Sequence, residues 1–327
     1  MERGIHLGRL TVRCGKNIPR RPVLWMWPGR IPKNKVTLIQ GDGGEGKSSF
    51  SLFFGAGMSV GKAPPALIDG ALMECESTDP INVFYVSTED ESEDTALPRF
   101  LRFGGDEERY YDNDEKENHF EMTEECLEEV FEACHPGLII IDPYQSFLPD
   151  GVHLGNLGEM RKVIAMMMRF AARREVTILL IGHLNKNEGS KDIHRGYGSG
   201  DIAAAMRNII KIEVDKKNPT KRTLRVIKSN LDGGCFEPVG IRQDEENIIY
   251  LCDPRDKGNE NQIDLAVQII QSKMKDDRAL AEEVDALMDE AGIQSRTVGR
   301  AQSRVNVRRR KIGGVRYLVK QEPKTGK

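Results

Sequence analysis

The chain has 327 residues, 39% hydrophobic and 6% aromatic, with a formal net charge of −3, enough material for a buried core and about two domains. It contains no run of about 18 apolar residues, and Met1–His6 lacks the apolar stretch of an export signal, so a cytoplasmic protein with no membrane span is expected. Cys14, Cys75, Cys126, Cys134, Cys235 and Cys252 form no C-x-x-C pair, which argues against a zinc site and against a disulfide framework.

Residues 1–23 read as a basic, irregular N-terminal extension carrying Pro19 and Pro22. Residues 24–253 then carry an alternating αβ pattern. Its first strand is the β-branched run Lys35–Gln40, and Ser49–Ala56 has helical character. Between them Gly41-Asp42-Gly43-Gly44-Glu45-Gly46-Lys47-Ser48-Ser49 completes a G-x-x-x-x-G-K-S phosphate loop, in the strand–turn–helix setting that motif needs. The glycines let backbone N–H groups close around phosphate oxygens, and the helix N-terminus adds its positive dipole end. Lys47 is expected to reach the β/γ-phosphates and Ser48 to place its hydroxyl on Mg²⁺. Gly41, Gly43, Gly44, Glu45, Gly46, Lys47, Ser48 and Ser49 are therefore the expected nucleotide-binding residues. The chain has no guanine-specific N-K-x-D motif, so ATP is the expected nucleotide.

A Pro/Gly-rich insert, Gly61–Pro80, leads to a second expected strand, Ile81–Val86. Further strands are expected at Leu138–Ile141 and Val176–Ile181, with helices at Glu121–Ala133 and Asn156–Arg173. The acidic segment Asp106–Glu132 reads as a solvated face. Continuous apolar strands alternating with helices imply a mostly parallel sheet covered on both faces. Beyond residue 207 strands follow one another, at Asn208–Val214, Thr223–Lys228 and Glu246–Leu251, with a turn over Asp215–Arg222, so an antiparallel extension is expected. Asp142 follows an apolar strand, where a second acid would hold Mg²⁺ through its waters. A carboxylate to orient or deprotonate water is also needed, and Glu89, Asp90, Glu91 and Glu93 compete for that role just past the second strand.

Residues 254–261 form a polar linker, and 262–327 a small C-terminal domain. Three helical stretches, near 262–274, 278–291 and 294–305, precede strands at Val305–Ile312 and Val315–Lys320. Three helices and a basic hairpin make a winged-helix-like pattern, with Arg296, Arg300 and Arg304 on one helical stripe. From Gly292 onward the only acid is Glu322 among many cations, including Arg309, so this basic end on an acidic body points to duplex DNA as a partner.

Six segments occur in order: Leu24–Lys47, Ser87–Asp90, Ile141–Phe147, Ile181–Lys186, Arg195–Asp201 and Lys228–Leu231. Together they resemble the RepA-like branch of the RecA superfamily, AAA-type hexameric replicative helicases of plasmids and their phage and mobile-element relatives. The resemblance implies a RecA-like P-loop NTPase core and a homo-hexamer or other ring. It implies that Glu89 is the catalytic glutamate, that His183 is a sensor between the γ-phosphate and a DNA loop, and that Arg207 is an arginine finger acting on a neighbouring subunit. Lys228 resembles a trans-acting lysine, whereas Asn230 stands where the DnaB-type pattern has an arginine. Residues 185–201, with Lys186, Lys191, Arg195 and several glycines but almost no aromatics, suit gripping phosphates of single-stranded DNA. The expected function is a DNA-stimulated ATPase moving along single strands as a replicative helicase or translocase. The alternative is an ATP-switched DNA-binding regulator or replication initiator with little unwinding.

Overall fold

The computed structural model describes residues 5–7, 10–68, 71–73, 75–114, 119–183, 205–215, 218–231, 237–243, 249–252, 254, 260–275, 277–293 and 295–321. The chain divides into two compact units, Met1–Pro254 and Arg255–Lys327.

The first unit opens with two antiparallel ribbons, β1 (Ile5–Leu7) with β2 (Leu10–Val12) and β3 (Trp25–Trp27) with β4 (Ile31–Pro32). β5 (Val36–Gly41) runs into the phosphate loop and α1 (Lys47–Ser59). The insert that follows holds a hairpin, β6 (Ala66–Ile68) and β7 (Ala71–Met73). β8 (Val83–Ser87) is followed by a wide helical turn over Ser92–Ala96 that continues as α2 (Leu97–Arg102), then by β9 (Tyr110–Tyr111). Next come α3 (Glu124–Cys134), β10 (Leu138–Asp142), α4 (Leu157–Arg174) and β11 (Thr177–His183). The last four strands are β12 (Asn208–Asp215), β13 (Asn218–Ser229), β14 (Val239–Gln243) and β15 (Ile249–Cys252).

These strands build one nine-stranded sheet in the order β15-β14-β13-β12-β5-β11-β10-β8-β9. From β12 to β9 every pairing is parallel, and β13, β14 and β15 add antiparallel pairings at one side. All residues of β5 and β10 are buried, as strands covered on both faces require. One face packs Ile39, Tyr85, Ile140 and Ile181 against Phe50, Phe54 and Trp27. The other packs Leu38, Ile139, Ile141 and Leu180 against Leu127 of α3 and Met160, Ile164, Met167 and Phe170 of α4. α3 and α4 each start on a side-chain cap: Thr123 accepts from the Cys126 N–H, and Asn156 from those of Gly158 and Glu159. Part of the acidic segment expected to face solvent is paired, because Glu124, Glu128 and Glu132 of α3 meet Arg173 and Arg174 of α4.

The expected turn over Asp215–Arg222 is shorter than its charge suggested, since β13 starts at Asn218. An antiparallel strand wet on one face accepts charged side chains without leaving the ladder, so charge alone does not end it. β14, β9 and α2 had too few periodic residues to be read from the sequence.

The second unit contains α5 (Glu260–Lys273), β16 (Arg278–Leu280), α6 (Ala281–Glu290), α7 (Ser295–Arg304), β17 (Val307–Ile312) and β18 (Val315–Lys320). Its sheet order is β16-β18-β17. Ala266, Ile270, Val284, Met288, Ile293, Ala301, Val307 and Leu318 form its own core. The expected helix from 278 loses its first three residues to β16, where exposed, buried, exposed alternation turns Ala279 inward. The β17–β18 turn is Gly313-Gly314 at φ 58° and 87°, left-handed values that favour glycine.

Phe50 ties α1 to the β3–β4 ribbon: it is fully buried, with its ring 5.8 Å from Trp27 and 6.4 Å from Phe54. Phe50→Ala should cost about 3–5 kcal/mol through lost transfer energy and the cavity left behind. Urea melts of the purified variant give that number; a loss under about 1 kcal/mol would show that α1 is not anchored there.

Candidate active site

β5 delivers the chain to the carboxyl edge of the parallel strands, where ligands bind in open αβ sheets. α1 begins at Lys47 with Gly46 as its cap residue, and no side chain satisfies its first amides. Gly44 and Gly46 take left-handed φ values of 76° and 81°. Those angles curl the loop into an anion cradle, and the open helix end adds positive potential. Glu45 braces the loop from within, accepting from the Asp42 N–H at 2.5 Å and, across to β12, from the Val214 N–H at 3.3 Å. Burial raises its carboxyl pKa, against hydrogen bonds from those same amides that lower it.

Two opposite charges are buried beside the cradle. Lys47 is 4% exposed, and its Nζ donates to the Asp42 carbonyl at 2.7 Å. Burial lowers its pKa, opposed chiefly by the carboxylates of Asp142, Glu45 and Glu89. Asp142, at the end of β10, is 2% exposed and accepts from the Tyr85 hydroxyl at 3.1 Å and from Ser48. Burial pushes its carboxyl up to about 6, with those two hydrogen bonds working against the rise. A hydroxyl and a carboxylate meeting at the helix start form an all-oxygen donor set, which fits Mg²⁺ with waters completing the shell.

Of the four acids that competed past the second strand, Asp90 is engaged by Arg99 of α2 at 2.8 Å. Glu89 instead meets His183, its Oε1 standing 3.3 Å from Nε2 at the end of β11. The Ser87 hydroxyl accepts from the N–H groups of Glu89 and Asp90 at 3.1 and 3.0 Å and shapes this turn. β11 and β5 pair through His183 and Gly41, so the histidine stands beside the root of the phosphate loop.

Arg207 and Lys228 come together elsewhere. Arg207 is exposed just before β12, and its carbonyl accepts from the Asn230 N–H at 3.0 Å. Lys228 lies on β13 opposite Ile209, and burial lowers its pKa. Because Ile209 pairs with Leu38, Arg207 stands near the amino end of β5, on the order of 15 Å along the strands from the start of the phosphate loop. Lys186, Lys191 and Arg195 lie outside the described residues. Arg296 and Arg300 fall on α7 with side chains outside the described set, and Arg304 ends that helix exposed. Arg309 is held bidentately by Asp285 of α6 at 2.7 and 2.5 Å.

Sequence reasoning missed Tyr85, the partner of Asp142, because a tyrosine in an apolar strand looks like core. It also missed Arg222 on β13, whose guanidinium lies against Gly46. It sits in the charged stretch that read as a turn.

A phosphate loop, a buried acid ending the parallel strand two places along the sheet and this sheet order define a RecA-like P-loop ATPase core. The chain belongs to the AAA domain family AAA_25, whose profile matches residues 4–189, more than half of it. It is 24% identical over 266 residues to the DNA repair protein RadA of Streptococcus pneumoniae (strain ATCC BAA-255 / R6), an alignment covering 80% of this chain. The chain spans about half of that relative's length, 54%. A solved structure, the KaiC-like protein PH0186 from Pyrococcus horikoshii OT3, aligns at TM-score 0.46 and 16% identity over 71% of this chain and 100% of the other. No described helix is long and apolar enough to cross a membrane.

Raising the Asp142 carboxyl from 3.8 to about 6 links folding to pH. The stability contributed by its neutral form is fully present below 3.8 and lost as pH rises through about 6. In the ligand-free protein Asp142→Asn should therefore raise stability at pH 8 by on the order of 1–3 kcal/mol, with only about a third of that gain left at pH 4.5. Denaturation at both pH values tests this; equal effects at both would show that burial does not control this carboxyl.

Proposed function

We propose that the chain is an oligomeric ATPase, stimulated by single-stranded DNA, that couples ATP hydrolysis to movement along the strand as a helicase or translocase. The observation that carries this reading is the 3.3 Å contact between Glu89 and His183, because it ties a carboxylate beside the phosphate loop to the strand leading into residues 184–200. In this reading the loop amides and Lys47 orient the β- and γ-phosphates, while Ser48 and Asp142 hold Mg²⁺. The cation supplies charge neutralisation on the phosphate oxygens. Glu89 orients the attacking water and takes its proton as the new oxygen–phosphorus bond forms and the bond to the ADP oxygen breaks. His183 senses that event and passes it to Lys186, Lys191 and Arg195, which grip DNA phosphates.

Arg207 and Lys228 stand far along the strands from their own phosphate loop, so this reading gives them to the site of a neighbouring copy in a ring, such as a homo-hexamer. A cation there offsets charge developing on the transferred phosphoryl group. The second unit is proposed as a winged helix on duplex DNA, with α7 contributing Arg296, Arg300 and Arg304 and the β17–β18 hairpin contributing Arg308, Arg310 and Lys311. Arg309 braces that hairpin through Asp285. The relative named as a DNA repair protein supports DNA as the partner. A second reading, an ATP-switched DNA-binding regulator or initiator, draws on the separate core and basic hairpin of this unit.

Steady-state ATPase with and without single-stranded DNA tests the proposal, with Lys47→Ala as the inactive blank. Strong stimulation by single strands supports the motor; slow turnover indifferent to them supports the regulator. Arg207→Ala should leave ATP binding intact and lower turnover by roughly 10³-fold or more. Mixing it with Glu89→Gln protein should restore part of the activity, and a mixture as inactive as its parts would count against action in trans.

A further inference from the structure

The end of the β12–β13 hairpin touches the phosphate loop at two points. Val214, on β12, donates its N–H to Glu45. Its cross-strand partner on β13 is Arg222. A Cβ built on Gly46 would come 3.0 Å from Arg222 Nε and 3.6 Å from Cζ, so the guanidinium rests directly against the cap residue of the helix. Arg222 Nε is buried and makes no hydrogen bond. A desolvated donor on a permanently charged group is costly, and native structures rarely leave one without a reason.

The surroundings indicate what the missing acceptor is. Gly46 immediately precedes Lys47, where the open amides of α1 converge, so an anion held in the cradle would lie next to this donor. Guanidinium groups match phosphate oxygens in charge and in planar fork geometry, and their hydrogen bonds to phosphate are among the strong ones. Arg222 also comes from an element remote in sequence from the motif, so it adds a contact the loop itself does not contain.

We propose that Arg222 is a ligand of the nucleotide's phosphate chain within its own subunit, closing the phosphate loop from the antiparallel extension. This rests on reading the loop as the ATP site. It separates the arginines by role: Arg222 binds in cis, whereas Arg207, at the far end of the same hairpin, is the one proposed to act in trans. Nucleotide held by Arg222 is thus connected through one pair of strands to the groups offered to the neighbouring copy.

Calorimetric titration of the full chain with Mg²⁺-ADP, Mg²⁺-ATP and Mg²⁺-pyrophosphate tests it, using wild type, Lys47→Ala, Arg222→Met and Arg222→Gln. Arg222→Met should weaken all three ligands alike by roughly 10-fold or more, the scale of one charge-assisted hydrogen bond. Its ligand-free melting temperature should not fall, because the removed donor had no partner. Should Arg222→Met not fold, Arg222→Gln is read in the same way. Wild-type affinity in the Arg222 variants overturns the proposal. So does loss of ADP and ATP with pyrophosphate unaffected, which would move the contact to the base or ribose. If wild type binds none of the three, the ATP-site reading itself falls; if binding is lost in Lys47→Ala but kept in the Arg222 variants, only the role of Arg222 falls.

Discussion

Helix α1 starts at Lys47 with no side chain to cap it, and its open amides face the carboxyl edge of a sheet buried on both sides. Orphan amides are stable only against water or an anion, and here the loop curls over them through Gly44 and Gly46. The rest of the first unit keeps that helix end rigid and exposed to a ligand. The aromatic cluster of Trp27, Phe50 and Phe54 fixes the body of α1, and Glu45 fixes the loop to Asp42 and Val214.

The electrostatics follow from the same geometry. Burial lowers the pKa of Lys47 and raises that of Asp142, so the charged form of each is disfavoured even though the Asp142 carboxylate works against the shift of Lys47. A site of this kind is incomplete by itself. A phosphate chain would complement the ammonium and a divalent cation the carboxylate, which would make the charged forms of both residues favourable together. Arg222, with its unpartnered Nε, extends the same incompleteness to the antiparallel side of the loop.

Two lines of contact leave this centre through the sheet. Glu89 and His183 join β8 to β11 at the carboxyl edge, and β12–β13 runs from the phosphate loop to Arg207 and Lys228 at the amino edge. One leads toward the segment after His183, and the other toward the amino ends of the parallel strands. The second unit is built on independent packing, with an Arg309–Asp285 pair bracing its basic hairpin.

Residue order alone carried the phosphate loop, the strand ending in Asp142, the parallel pattern and the basic C-terminal end. These depend on local motifs and on apolar periodicity, which a linear reading detects. It left Glu89 among four neighbouring acids and was blind to Tyr85, Arg222 and β14. Only the fold separated Asp90, paired with Arg99, from Glu89, paired with His183 across 94 positions. Only the fold brought Arg222 against Gly46, because contacts between distant segments are set by strand register and burial rather than by neighbours in the chain.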